Sequence, residues 1–95
     1  MEALDPETYR FGRIAVRKAF RNKQIGTYTM KFLMRKAIEI GGRVAVVHAQ
    51  YDKMGFYEKL GFRAPKGSEI FDEDGYPHIE MRKSLIKKRN VKRTA

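Results

Sequence analysis

Apolar residues recur at helical spacing between residues 25 and 40. At 100° per residue, they fall on one broad arc, and charged residues share the opposite strip. The arc contains Ile25, Met30, Phe32, Leu33, Met34, Ala37 and Ile40, and the strip contains Lys31, Arg35 and Glu39. The pattern predicts an amphipathic helix that packs on a sheet and is partly covered at its flanks. Gly41 and Gly42 follow where glycines commonly end a helix.

Strand-like stretches flank this helix. Residues 9–16 are rich in aromatic and β-branched side chains, and residues 43–49 form a nearly continuous β-branched run. The second run is typical of a buried strand in a parallel sheet. Strand, helix and strand in this order predict a right-handed βαβ crossover. Ligands of such units bind at the carboxyl ends of the strands, which is where the loop at residues 17–25 lies.

The remaining elements are predicted to be shorter. In chain order they are a loop over 1–8, a helix over 50–60, the start of a strand at 61–64, a polar loop over 65–77 and a strand over 78–82. The last strand could pair with the one near Phe62. Asp74 and Gly75 form a turn signal inside the polar loop. We expect a single domain over residues 9–85, followed by a basic tail over 86–95 with little fixed structure after about residue 88.

Composition limits the classes of protein that fit. The chain has 95 residues, 42% of them hydrophobic, and no cysteine. These values predict one globular domain and exclude disulfides and thiolate metal sites. Two distant histidines offer no metal-ligand spacing, so no metal is expected. The acidic N-terminus, broken by Pro6, does not resemble a signal peptide, and no apolar run reaches membrane-spanning length. A soluble cytoplasmic protein is expected.

The net charge of +10 predicts an anionic partner. Nine of the 21 Lys and Arg lie in residues 10–36, and seven lie in residues 82–95. The first group surrounds the start of the predicted helix, where unpaired N–H groups and the helix dipole favour a phosphate. Arg21 and Lys23 supply full charges there, and Gly26 allows close approach to the backbone. The alternative is an ordinary turn whose basic residues are only solvated.

Three strings appear in an order that points to a known family. They are Ile14-Ala15-Val16, Arg21-Asn22-Lys23-Gln24-Ile25-Gly26-Thr27 and Gly55-Phe56-Tyr57-Glu58-Lys59-Leu60-Gly61-Phe62. Together they resemble the GNAT superfamily of acetyl-coenzyme A dependent N-acetyltransferases over roughly residues 9–82. His48-Ala49-Gln50 and Glu73-Asp74-Gly75-Tyr76-Pro77-His78 resemble the ElaA-type branch. The resemblance implies an α/β (α+β) fold, a GNAT-like mixed sheet with a βαβ crossover.

Family members usually have two or three strands and one or two helices before the strand that matches residues 9–16. This chain starts almost at that strand. The resemblance therefore implies the carboxyl-terminal, cofactor-binding half of the fold, with the amino-terminal strands missing. A sheet with one unpaired edge tends to recruit another chain. We accordingly expect a homodimer or a need for an upstream segment.

The resemblance also implies roles for individual residues. Acetyl-coenzyme A is the expected cosubstrate, and an unidentified amine is the acceptor. The predicted cofactor-binding residues are Ile14, Ala15 and Val16 for the pantetheine arm, Gln24, Ile25, Gly26 and Thr27 for the pyrophosphate, and in addition Arg21, Lys23 and Gln50. Gln24 replaces the first glycine of the family motif, although its N–H can still bind phosphate. Tyr57 matches the tyrosine that often protonates the departing thiolate, and the usual phenol pKa of about 10 suits that transfer.

Several questions stay open at the level of sequence. His48, His78 and Glu80 are each possible bases, none is favoured, and ordered water is an alternative. The acidic loop at residues 69–74 either attracts a cationic amine or is only solvated. Tyr57 has the alternative role of a core aromatic residue. Two other functions compete with acetyl transfer: a basic nucleic-acid-binding module, and a non-catalytic fragment that binds coenzyme A or assembles with another chain.

Overall fold

The computed structural model of the chain describes residues 1–12 and 23–86. The described elements are β1 (Glu2–Asp5), β2 (Thr8–Arg10), α1 (Lys23–Glu39), β3 (Val44–Gln50), a 3₁₀ turn (Tyr51–Lys53), α2 (Met54–Lys59), β4 (Phe71–Glu73) and β5 (Tyr76–Ser84). The strands form one five-stranded sheet in the order β1-β2-β3-β5-β4. Strands β2 and β3 are parallel, and the other neighbouring pairs are antiparallel.

The βαβ crossover is present, since α1 connects the parallel strands β2 and β3. Thr8 pairs with Val44, and Arg10 pairs with Val46. The N–H of Phe11 extends the ladder by donating to the carbonyl of Val46 at 3.0 Å. The rest of the predicted strand, residues 13–16, lies outside the described residues.

Helix α1 begins two residues before the predicted start and ends at the predicted glycines. Gly41 has a φ of 95°, a left-handed conformation that suits glycine, and the N–H of Gly42 donates to the carbonyl of Ala37 at 2.7 Å. The flanks of the apolar arc are only partly covered, as the pattern predicted: Phe32 and Ile40 are each 57% exposed. In the described part of the chain, the sheet covers one stripe of the helix and leaves the flanks in solvent.

The core lies between one face of the sheet and the two helices. Its buried members are Phe11, Met30, Met34, Ala37, Ala45, Val47, Ala49, Tyr57, Phe62, Ile79 and Met81. On β3 these residues alternate with Val44, Val46, His48 and Gln50, which therefore point to the opposite face. The run predicted for β3 as nearly continuous and apolar therefore ends with two polar residues, His48 and Gln50, on the face opposite the core.

The predicted loop over residues 1–8 is wrong, because residues 2–5 form strand β1. Pro6 lies in the turn between β1 and β2 and does not prevent pairing. The Asp5 carboxylate accepts a hydrogen bond from the N–H of Glu7 at 2.8 Å, which stabilises that turn. Glu2 and Arg10 form an ion pair across the hairpin. One strand therefore precedes β2, fewer than the two or three that the resemblance implies for family members.

The second half of the chain follows the prediction in part. The predicted pairing of residues 61–64 with the last strand is present as a single bridge, in which Arg63 pairs with Arg82 of β5. The predicted polar loop contains β4, which joins β5 through the predicted turn. Asp74 and Gly75 have φ values of 56° and 80° there, as a tight hairpin turn requires. Strand β5 is longer than predicted because it pairs with the whole of β3.

No helix among the described residues is long and apolar enough to cross a membrane.

Candidate functional site

Seven side chains on the face of the sheet opposite the helices form a surface that we call the polar face. They are His48, Gln50, Phe71, Glu73, His78, Glu80 and Arg82. The strand register places them together, because directly paired residues share a face: His48 with Glu80, Gln50 with His78, and His78 with Phe71. One face of the sheet therefore packs into the core, and the other face carries most of the ionisable side chains of the sheet.

The parallel strands end at one edge of the sheet. Strand β3 continues for four residues beyond Val46, where its described pairing with β2 ends. His48 and Gln50 lie on this extension, and Gln50 is its last residue. Because parallel strands of a crossover present their carboxyl ends together, this edge is where a ligand of the fold is expected.

Helix α1 begins close in sequence to the same edge. Its first turn contains Lys23 and no acidic residue, so its charge and the helix dipole both favour an anion. Gly26 is buried in the first turn, and Thr27 is partly exposed. A residue without a side chain allows a ligand to approach the backbone closely. The charge and the glycine are the features that the sequence predicted for a pyrophosphate site.

Tyr57 lies on α2, inside the core. Its ring is fully buried and makes edge contacts with Phe56 and Phe62, with ring centroids 5.1 and 6.0 Å away. Burial raises the pKa of Tyr57 above its usual 10.0, so the phenol stays protonated at neutral pH. A raised pKa also moves the phenol away from the range of a thiol, which weakens the driving force for full proton transfer. Hydrogen-bond donation from the neutral hydroxyl is unaffected.

His48 is held between two carboxylates on the polar face. Its Nδ1 lies 3.1 Å from Glu73 Oε1, and its Nε2 lies 3.9 Å from Glu80 Oε1. The ring meets Phe71 edge-on, with centroids 5.0 Å apart. Glu80 is itself bound by Arg82, whose Nε donates to Glu80 Oε2 at 2.8 Å. The imidazole is therefore fixed by groups from two other strands, β4 and β5.

The sequence profile described as an acetyltransferase (GNAT) domain matches residues 2–85. The chain belongs to the GNAT acetyltransferase family. It is 38% identical over 76 residues to a Bacillus subtilis protein assigned as an acetyltransferase, a match that covers 80% of this chain and 50% of that protein. It is 31% identical over 87 residues to the ElaA protein of Escherichia coli, covering 86% of this chain and 53% of ElaA. The GNAT resemblance and its ElaA-type branch are confirmed.

Solved structures agree with the GNAT fold. A Lactobacillus plantarum protein assigned as an N-acetyltransferase aligns with a TM-score of 0.71 and 31% identity over 90% of this chain and 57% of that one. An aminoglycoside 6'-N-acetyltransferase complexed with coenzyme A aligns with a TM-score of 0.54 and 21% identity, over 74% and 54% of the two chains, and shows the fold alone. The chain spans about half the length of the curated relatives it matches. The predicted fold class is confirmed.

Only some of the predicted GNAT site residues lie in the part of the chain that the structure describes. Residues 14–16 and Arg21 lie outside the described residues, and so do the side chains of residues 23–25. Gly26 and Thr27 lie in the first turns of α1, and Gln50 ends β3 on the polar face. Tyr57 lies on the core face. The cofactor-binding and catalytic roles of all these residues remain predictions.

The pairing of His48 with Glu73 was not predicted from the sequence. The two residues are 25 positions apart and come together only because β4 and β3 both flank β5. A signal was present, since both belong to the strings that resemble the ElaA-type branch. In the described part of this GNAT chain, no group of three or more His, Cys, Asp or Glu is arranged to hold a metal ion.

Proposed function

We propose that the chain transfers an acetyl group from acetyl-coenzyme A to an amine. Membership of the GNAT family supports this proposal, and one structural observation indicates where on the chain the cofactor would bind. The carboxyl end of β2 and the acid-free first turn of α1 lie on either side of one connection, and β3 runs parallel to β2. That is the arrangement in which an α/β crossover binds a phosphorylated ligand.

The cofactor is proposed to bind through its pyrophosphate at α1. The backbone N–H groups of residues 24–27 would hold it, with Lys23 and Arg21 supplying charge. Residues 14–16 would bind the pantetheine arm, and Gln50 would contact the cofactor from the end of β3. Acetyl-coenzyme A supplies the activated acyl group, so the protein has to position the amine, remove its proton and favour departure of the thiolate.

Tyr57 is proposed to favour departure of the thiolate. Its buried, protonated hydroxyl is a hydrogen-bond donor, and the packed rings of Phe56 and Phe62 limit its movement. Because burial raises its pKa, we assign it stabilisation of the charge that develops on sulfur more than complete proton transfer.

Substitution of Gly26 tests the cofactor site. Gly26→Val should abolish acetyl-coenzyme A binding in calorimetry, because its Cβ and methyl groups would crowd the phosphate, while circular dichroism stays that of the original chain. Gly55→Val is the matched control: it puts the same side chain into α2, where an added Cβ meets nothing within 4 Å. Equal affinity in the two variants would refute the pyrophosphate site. Binding without acetyl transfer to any amine would instead favour a non-catalytic coenzyme A-binding role.

A further inference from the structure

The surroundings of His48 fix which ring nitrogen carries hydrogen. An ionised carboxylate can only accept hydrogen bonds, so Glu73 Oε1 at 3.1 Å requires a hydrogen on Nδ1 of His48. The neutral ring then has its lone pair on Nε2. That nitrogen lies 3.9 Å from Glu80 Oε1, which is too far for a hydrogen bond.

The two ring nitrogens of His48 face carboxylates from different strands. Nδ1 faces Glu73 from β4 and Nε2 faces Glu80 from β5, and the positive charge of Arg82 is already paired with Glu80. The other ionisable ring on this face, His78, stacks on Phe71 with centroids 6.0 Å apart and directs its Nδ1 to the carbonyl of Tyr76. His48 is thus the histidine with carboxylates at both nitrogens.

We propose that His48 accepts the proton of the attacking amine, with Glu73 as its positioning residue, and that the acceptors are protonated alkylamines. The inference rests on the proposed acetyl transfer. Alkylamines are cations at neutral pH and have no lone pair until a base removes a proton. The carboxylates of Glu73 and Glu80 attract such a cation, and His48 lies between them on the strand that ends at the cofactor edge.

The proton and bond changes balance without another reactant. The ammonium gives one proton to His48 Nε2, and its nitrogen forms a bond to the acetyl carbon as the carbon–sulfur bond breaks. The second nitrogen proton ends on the departing sulfur. The products are an amide, a thiol and an imidazolium, and the imidazolium returns its proton to water. The phenol of Tyr57 starts and ends protonated.

Three measurements on the 95-residue chain test this. Nitrogen NMR of the imidazole gives the tautomer of His48, calorimetry gives acetyl-coenzyme A affinity, and thiol release gives kcat/KM. Butylamine is the protonated acceptor, and O-methylhydroxylamine is an acceptor that is already neutral at the assay pH. The variants are His48→Gln and Glu73→Gln. Asp72→Asn is the control, because it removes an exposed carboxylate from the same strand on the opposite face.

We expect Nδ1–H in the original chain. His48→Gln should keep acetyl-coenzyme A affinity and lower kcat/KM for butylamine by about 10²- to 10⁴-fold, the usual range for a lost general base. It should leave kcat/KM for O-methylhydroxylamine unchanged, because that acceptor needs no deprotonation before attack. Glu73→Gln should also slow butylamine transfer, since an amide can donate to Nδ1 and no longer fixes the tautomer. Asp72→Asn should change nothing.

The opposite results separate the two hypotheses. An Nε2–H tautomer, or equal butylamine rates before and after His48→Gln, would overturn the assignment of His48 and leave acetyl transfer standing. Transfer to neither acceptor by a chain that binds acetyl-coenzyme A would overturn the alkylamine assignment. Absence of acetyl-coenzyme A binding in the original chain would overturn the proposed function itself, and calorimetry shows this before any amine is added.

Discussion

The packing around Tyr57 leads to a quantitative prediction about Phe62. Phe62 is fully buried, and its ring meets that of Tyr57 edge-on, with an interplanar angle of 80°. Its N–H also donates to the carbonyl of Tyr57 at 3.0 Å. Phe62→Ala keeps that backbone hydrogen bond and removes the ring, so it isolates the contribution of packing.

The expected loss of stability is large for a domain of this size. Truncation of a buried phenylalanine to alanine costs about 3–5 kcal/mol, including the cavity that is left. A domain of this length has roughly 5–14 kcal/mol of stability in all, at about 0.05–0.15 kcal/mol per residue. Phe32→Ala makes the same chemical change on the exposed side of α1, where the ring is 57% exposed and lies 5.6 Å from Lys36 Nζ. It should cost less than about 1 kcal/mol.

Urea unfolding followed by circular dichroism measures both variants. Phe62→Ala should lower the midpoint strongly with an unchanged slope, and Phe32→Ala should barely move it. If Phe62→Ala is too unstable to fold, Phe62→Leu restores most of the volume and should recover a cooperative transition with an intermediate midpoint. Equal midpoints for the two alanine variants would refute the assignment of Phe62 to the core and would remove the support proposed for Tyr57.

Four further outcomes follow from the structure. Gly42→Ala should destabilise the chain by about 1–3 kcal/mol in urea unfolding, because the new Cβ would lie 2.8 Å from the backbone oxygen of Ala37. At Gly55 an added Cβ meets nothing within 4 Å, so Gly55→Ala should stabilise the chain by up to about 1 kcal/mol in the same assay. The pKa of Asp5 lies below its usual 3.8 because the backbone N–H two residues later hydrogen-bonds to the carboxylate. Its stabilisation is present above that value and is lost as the pH falls through the lowered pKa, so Asp5→Asn should flatten the acid side of a plot of urea midpoint against pH. Tyr57→Phe should lower kcat by about 10²-fold with little change in circular dichroism, and full activity would leave the tyrosine a packing residue only. Light scattering should show a dimer, and a cooperative monomer of 11.1 kDa would show that the sheet edge needs no partner.

Sequence periodicity predicted the elements whose signal is local and repeated. The predicted helix over residues 25–40 has seven apolar residues at helical spacing and is followed by two glycines, and the bounds of α1 were predicted to within two residues. Strand β3 was predicted to within one residue because its β-branched run has little freedom to adopt another structure. The tight turn before β5 was predicted because Asp-Gly tolerates positive φ. Together these elements were enough to predict the crossover and the edge at which we propose that the cofactor binds.

Short polar strands were missed for a physical reason. Strand β1 and strand β4 have three or four residues each and no buried apolar run. They are strands because a neighbour pairs with their backbone, and pairing with a neighbour leaves no periodic pattern in so few residues. The exposure of Phe32 shows how far periodicity reaches: its helical phase is apolar, but the sheet covers only part of that arc.

The sequence by itself determined the family, the crossover and the basic, acid-free start of α1, because each depends only on contiguous residues or on their local spacing. Only the tertiary structure decided which side chains meet. Tyr57 became a buried donor with a raised pKa through the packing of Phe56 and Phe62 around it, and Glu73 reached His48 because the hairpin places β4 two strands from β3. Ionisation and hydrogen-bond partners depend on neighbours brought from distant positions in the chain, and a linear sequence does not contain those distances.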